Sequence, residues 1–75
     1  MRATEVNRRI RALGGQHVGQ RGSHRKFRAT YTDAAGRTAT VQTVVAQHRG
    51  EIPTGTLRAI QRQMEPAFGK GWLLP

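Results

Sequence analysis

The chain has no cysteine in its 75 residues, so neither a disulfide nor a thiolate-bound zinc can reinforce its fold. Acidic residues are almost as scarce: Glu5, Asp33, Glu51 and Glu65 stand far apart and form no carboxylate cluster to hold a metal. No stretch approaches the roughly 20 apolar residues of a membrane span. The opening Met1-Arg2-Ala3-Thr4-Glu5 has no apolar signal-peptide core. Internal repeats and low-complexity tracts are missing too. These absences lead to the expectation of a soluble cytoplasmic protein with no membrane partner. The length is that of one domain, taken as residues 1–75. Its core has to be thin, because a chain this short buries only about 60% of its unfolded surface.

What the chain has in excess is positive charge. Thirteen Lys and Arg, eleven of them Arg, leave a formal net charge of +9 and a pI near 11.9. A surface tuned for solubility alone mixes both signs. This excess points to a polyanion, and the planar guanidinium fork suits bidentate phosphate contacts. The basic stretches lack the broad apolar face with large aromatics that a membrane-surface helix needs.

Hydrophobic periodicity orders the elements. Val6, Ile10 and Leu13 share one helical arc over residues 4–13, with Thr4 as the expected N-cap and Gly14-Gly15 as the stop. Arg8 and Arg11 project from the opposite side, towards solvent or phosphate. Residues 16–21 are a weak strand, and Gly22-Ser23 is turn chemistry. From 24 to 31 the residues alternate: Arg25, Phe27, Ala29 and Tyr31 face one way, and His24, Lys26, Arg28 and Thr30 the other. Residues 37–46 are rich in β-branched side chains and form the best strand. A loop through His48 and Arg49 leads to Thr54, the expected N-cap of a second helix. That helix is expected to carry Leu57, Ile60 and Met64 inward and to end at Pro66. Phe68, Trp72, Leu73 and Leu74 in the tail either cap the core or meet a partner. The expected fold is α+β, with a three-stranded antiparallel sheet and both helices packed on one face.

Two blocks carry more than periodicity. Gly22-Ser23-His24 runs into a strand with Phe27 three residues beyond His24, and His48 is followed by Ile52-Pro53-Thr54-Gly55-Thr56-Leu57 at a helix start. In both blocks and their order the chain resembles the HicA toxins, the YcfA-like mRNA interferases, over residues 3–65. The tail, 66–75, lies beyond the resemblance. Family members often carry an aromatic residue just after the glycine that ends the first helix; Gly15 stands there in this chain. The resemblance implies an αβββα fold like a double-stranded-RNA-binding domain. It also implies a toxin of a type II toxin–antitoxin system, ribosome-independent cleavage of mRNA, growth arrest, inhibition by a cognate HicB-type antitoxin, and catalysis by His24.

That chemistry is within reach of these residues. RNA carries its own nucleophile, the 2′-hydroxyl, so an enzyme has to move protons and stabilise a crowded phosphorane. Histidine does the first near neutral pH, and cations such as Lys26 and Arg28 do the second; no metal or other cofactor is required. Arg25 and Arg49 are expected to position single-stranded RNA. Ser23 either bonds the turn backbone or touches substrate. His48 is a phosphate donor, a second acid or base, or a plain loop residue. Gly55-Thr56 either binds phosphate through backbone N–H groups or caps the second helix. His17 is assigned no role. The alternative is a non-catalytic RNA-binding module of the same fold and basic face.

Overall fold

The computed structural model describes residues 1–75. The elements run α1 (Ala3–Ala12), β1 (Gln16–Arg21), β2 (His24–Thr32), β3 (Thr38–Ala46) and α2 (Thr54–Phe68). The sheet is antiparallel in the order β1-β2-β3, which is the expected α+β, αβββα arrangement. α1 buries Ala3, Val6 and Ile10, and α2 buries Leu57, Ile60 and Met64. They meet Phe27, Ala29 and Val45 from one face of the sheet.

The helix ends differ from the sequence expectation. Thr4 is the second residue of α1, exposed, and not its cap. The free amide of Arg2 donates instead to the Glu5 carboxylate, 3.2 Å away, an acid placed in the first turn where the helix dipole favours it. Leu13 leaves the core arc because the helix stops at Ala12; at the C-cap it is 47% exposed. Pro53 occupies the N-cap position of α2 expected for Thr54. Pro66 does not end α2. Its missing N–H costs one bond near the C-terminus, and the helix continues to Phe68 before Gly69, at φ +90°, closes it by donating to the Glu65 carbonyl at 2.7 Å. Val41 is only half-buried at the rim of the core.

The tail folds back as a third layer of the core. Leu73 and Trp72 are buried, and the Phe68 and Trp72 rings meet edge to face with centroids 5.0 Å apart. Gln61 anchors the segment: its backbone carbonyl accepts from Trp72 Nε1 at 2.8 Å, and its side-chain oxygen accepts from the Leu73 amide at 3.0 Å and from the Leu74 amide. Arg9 donates to the Leu73 carbonyl at 2.9 Å. Gly15 is what lets Phe68 in. A Cβ there would stand 3.2 Å from Phe68 Cζ and would collide with the Ile10 side chain.

At the other end of α1, Glu51 holds the chain start. Its carboxylate pairs with the Met1 ammonium and lies near Arg2, while the Ile52 amide donates to the Met1 carbonyl at 2.9 Å. The ammonium holds the Glu51 carboxyl below the usual carboxylate range, by hydrogen bond and by charge. No helix is long and apolar enough to cross a membrane.

Candidate functional site

The site is built where one end of the sheet meets the loop after β3. β1 and β2 are joined by the two residues Gly22-Ser23, with Gly22 at φ +59°, a conformation L side chains rarely adopt. This turn makes His24 the first residue of β2, opposite Arg21 on one side and Ala46 on the other. β2 pairs with β3 without a register break from His24–Ala46 to Thr32–Thr38. The alternation expected for β2 therefore holds. Phe27 and Ala29 are buried, and His24, Lys26 and Arg28 are exposed in a row on the face that no helix covers.

The irregularity lies in β1, whose register shifts between His17 and Gly19. The extra residue is Val18. It turns with Gly19 and Arg21 towards the open face. There a depression of 360 Å³ is lined by Val18, Gly19, Gln20, Arg21, His24, Lys26, Arg28 and Val44. Lys26 sits opposite Gly19 and Val44, and Arg28 opposite Gln42, whose side-chain oxygen accepts from the Arg28 guanidinium at 3.0 Å. No carboxylate pairs with any of these cations; the chain's only ion pairs are those of Glu51 with Met1 and Arg2.

His48 reaches the same end of the sheet. The Gln47 amide donates to the Ser23 carbonyl at 2.6 Å, extending the β2–β3 ladder by one residue. Gln47 is fixed from α1 as well: Asn7 Nδ2 donates to its side-chain oxygen at 2.7 Å, and Gln47 Nε2 donates to Asn7 Oδ1 and to the Val45 carbonyl. With Gln47 held from two sides, His48 stands beside His24, ring centroids 6.4 Å apart and planes at 81°. Both imidazoles are exposed. No three histidine or acidic side chains converge anywhere in the chain.

The other sequence candidates divide. Ser23 is half-buried; its backbone carbonyl is engaged as described, and its hydroxyl makes no hydrogen bond within the protein. Arg49 is exposed next to His48. Arg25 does not belong with Lys26 and Arg28. It points to the helix-bearing side of the sheet, half-buried, where its Nε donates to Gln20 Oε1 at 3.2 Å and it shares a hollow with Arg8 and Arg11 of α1. Sequence reasoning missed Arg21, Val18, Val44 and Gln42, all of which follow once the register is known. It also missed the Asn7–Gln47 pair, which joins residues 40 apart and leaves no local signal.

No curated protein and no solved structure matches the chain. A family profile does, described as the HicA toxin of bacterial toxin–antitoxin systems, and it spans residues 3–65. The Gly22-Ser23-His24 turn and the loop that brings His48 to it both lie inside that span. The chain is thus a member of the HicA toxin family of bacterial toxin–antitoxin systems, and an antitoxin is its natural partner.

Proposed function

We propose that this toxin is an endoribonuclease that cleaves mRNA by metal-independent acid–base chemistry at the His24–His48 pair. The observation that carries the reading is the approach of two exposed imidazoles, edge to face, at the end of a row of unpaired cations. His24 takes the proton of the RNA 2′-hydroxyl, and the freed oxygen attacks the adjacent phosphorus. The bond from phosphorus to the 5′-oxygen breaks as His48 protonates that oxygen. The products are a 2′,3′-cyclic phosphate and a 5′-hydroxyl. Lys26, Arg28 and Arg21 face the depression in which the phosphate lies, and they stabilise the negative charge on its non-bridging oxygens. A HicB-type antitoxin silences the enzyme by covering the row or by blocking access to it.

His24→Ala lowers the cleavage rate by about 10²–10⁴-fold, the usual value of a positioned acid or base, and abolishes growth arrest while the circular dichroism spectrum stays as in wild type. His48→Ala costs less on a substrate with a nitrophenolate leaving group, which needs no proton, than on RNA. Wild-type cleavage by a folded His24→Ala protein would defeat the proposal. RNA binding without cleavage by the wild type would leave the non-catalytic binding module in its place.

A further inference from the structure

The cations are not confined to the open sheet face. A hollow of 240 Å³ lined by Arg2, Thr4, Gln47, His48 and Arg49 begins at His48 and runs over the start of α1. Thr4 also borders a second hollow, of 270 Å³, lined otherwise by Asn7, Arg8, Arg11 and Arg25. The two share Thr4 in their linings, so basic residues follow one another from His48 round the end of the sheet to the outer side of α1.

The second hollow has the character of an anion site. Its three guanidinium groups come from two elements. None has a carboxylate partner, because the chain's ion pairs all involve Glu51. Arg8 and Arg11 make no hydrogen bond within the protein, and Arg25 commits one donor, to Gln20, leaving the rest of its donors free. The nearby acids are engaged elsewhere: Glu5 accepts from the Arg2 amide, and Glu51 holds the Met1 ammonium. Like charges round one concavity repel, an unfavourable arrangement that a bound polyanion relieves. The half-buried Arg25 cannot escape by swinging into solvent as freely as a helix-surface arginine. Contrast the remaining arginine of α1, Arg9, which spends its guanidinium on the Leu73 carbonyl and belongs to the scaffold.

We propose that the Arg8–Arg11–Arg25 hollow is a second phosphate-binding site, which holds the backbone of an RNA strand on the side of His48 away from the open sheet face. The proposal rests on RNA being the ligand of the histidine site. It gives that ligand a path: one stretch of the strand lies along Lys26 and Arg28, the scissile phosphate sits at the histidine pair, and the continuing strand passes Arg49 to α1. The site therefore contributes to affinity for long RNA and contributes nothing to the cleavage of a dinucleotide, which is too short to reach it.

The test reads binding in the His24→Ala protein, so it stands whether or not the wild type cleaves. Arg8 and Arg11 are replaced together by Gln, a good helix former that keeps α1 intact. A control of equal charge change replaces Arg58 and Arg62, an exposed pair on α2 away from the path. Binding of single-stranded RNA is measured against salt. The Arg8/Arg11 variant should lower the slope of log affinity against log salt by about 1.4, two contacts at about 0.7 each, and the control should lower it much less. In the His24-intact enzyme the same variant should raise KM for a long transcript several-fold with kcat unchanged, and leave dinucleotide cleavage as it was. Equal slopes in the two variants would overturn the proposal by reducing the hollow to general charge. So would unchanged RNA binding with weakened antitoxin binding, which would assign the hollow to a protein partner.

Discussion

The two faces of the sheet are made from alternate residues of the same strands, and they behave as different materials. The face under the helices carries Phe27, Ala29 and Val45, all buried, with one buried polar side chain, Thr43, satisfied by donating to Gln63 Oε1 at 2.6 Å. The other face carries His24, Lys26, Arg28, Gln42 and Val44, all exposed. A one-residue slip in β2 would exchange the two sets. The difference teaches that the core and the proposed site are separated here by strand parity rather than by distance. Phe27 lies between Lys26 and Arg28 in the chain, yet it faces the other way.

Three experiments test that separation beyond the His24 and α1 experiments. The largest effect belongs to Phe27→Ala, on the covered face. It should cost about 3–5 kcal/mol, a large share of the roughly 4–11 kcal/mol that a chain of this length has to lose, and urea denaturation would show a much lowered midpoint. Val44→Thr, one strand away on the open face, should stay within about 0.5 kcal/mol of wild type. Comparable losses from the two would mean that the open face is part of the core.

Next comes Gly15→Ala, which probes the extension of the covered face by the tail. The added methyl collides with Ile10 and presses on Phe68, and overpacking of this kind costs about 1–3 kcal/mol. Combining it with Phe68→Leu should recover part of the loss, because the ring is one of the atoms in the way. A neutral Gly15→Ala would show that Phe68 and Ile10 do not close on Gly15 as the structure has them.

The smallest effect concerns Glu51, away from both faces. Its folded carboxyl is held below the ordinary range by the Met1 ammonium. Its contribution to stability is therefore complete above that range and is lost as pH falls through the lowered value. Glu51→Gln should narrow the stability difference between neutral and acidic solution, measured by urea titration at each pH, with only a small change in fold or activity because the carboxylate is exposed. An unaltered pH dependence would show that the pairing does not persist in solution.

How far the sequence alone reached depends on whether the determining forces are local. The period-two alternation of residues 24–31 decided which face of β2 would be buried, since Cβ atoms alternate along any strand. The 3.6-residue spacing of Val6 and Ile10, and of Leu57, Ile60 and Met64, decided the inner sides of the helices for the same kind of reason. Gly22-Ser23-His24 marked the turn and its histidine, and the surplus of arginine is the basis for proposing a polyanion ligand. Only the tertiary structure decided what depends on pairing across the chain. The bulge at Val18 sets which β1 residues join the open face, and it arises from register, which single residues do not encode. The meeting of His48 with His24 rests on Gln47 being clamped by Asn7 and Ser23, contacts that span 40 and 24 residues. The division of the arginines followed from strand parity and tertiary geometry together: Arg25 turns away from Lys26 and Arg28 and meets Arg8 and Arg11 only because α1 packs over that side of the sheet. The tail's role as core rests on a vacancy, the missing side chain of Gly15, which exists only once α1 and α2 have docked.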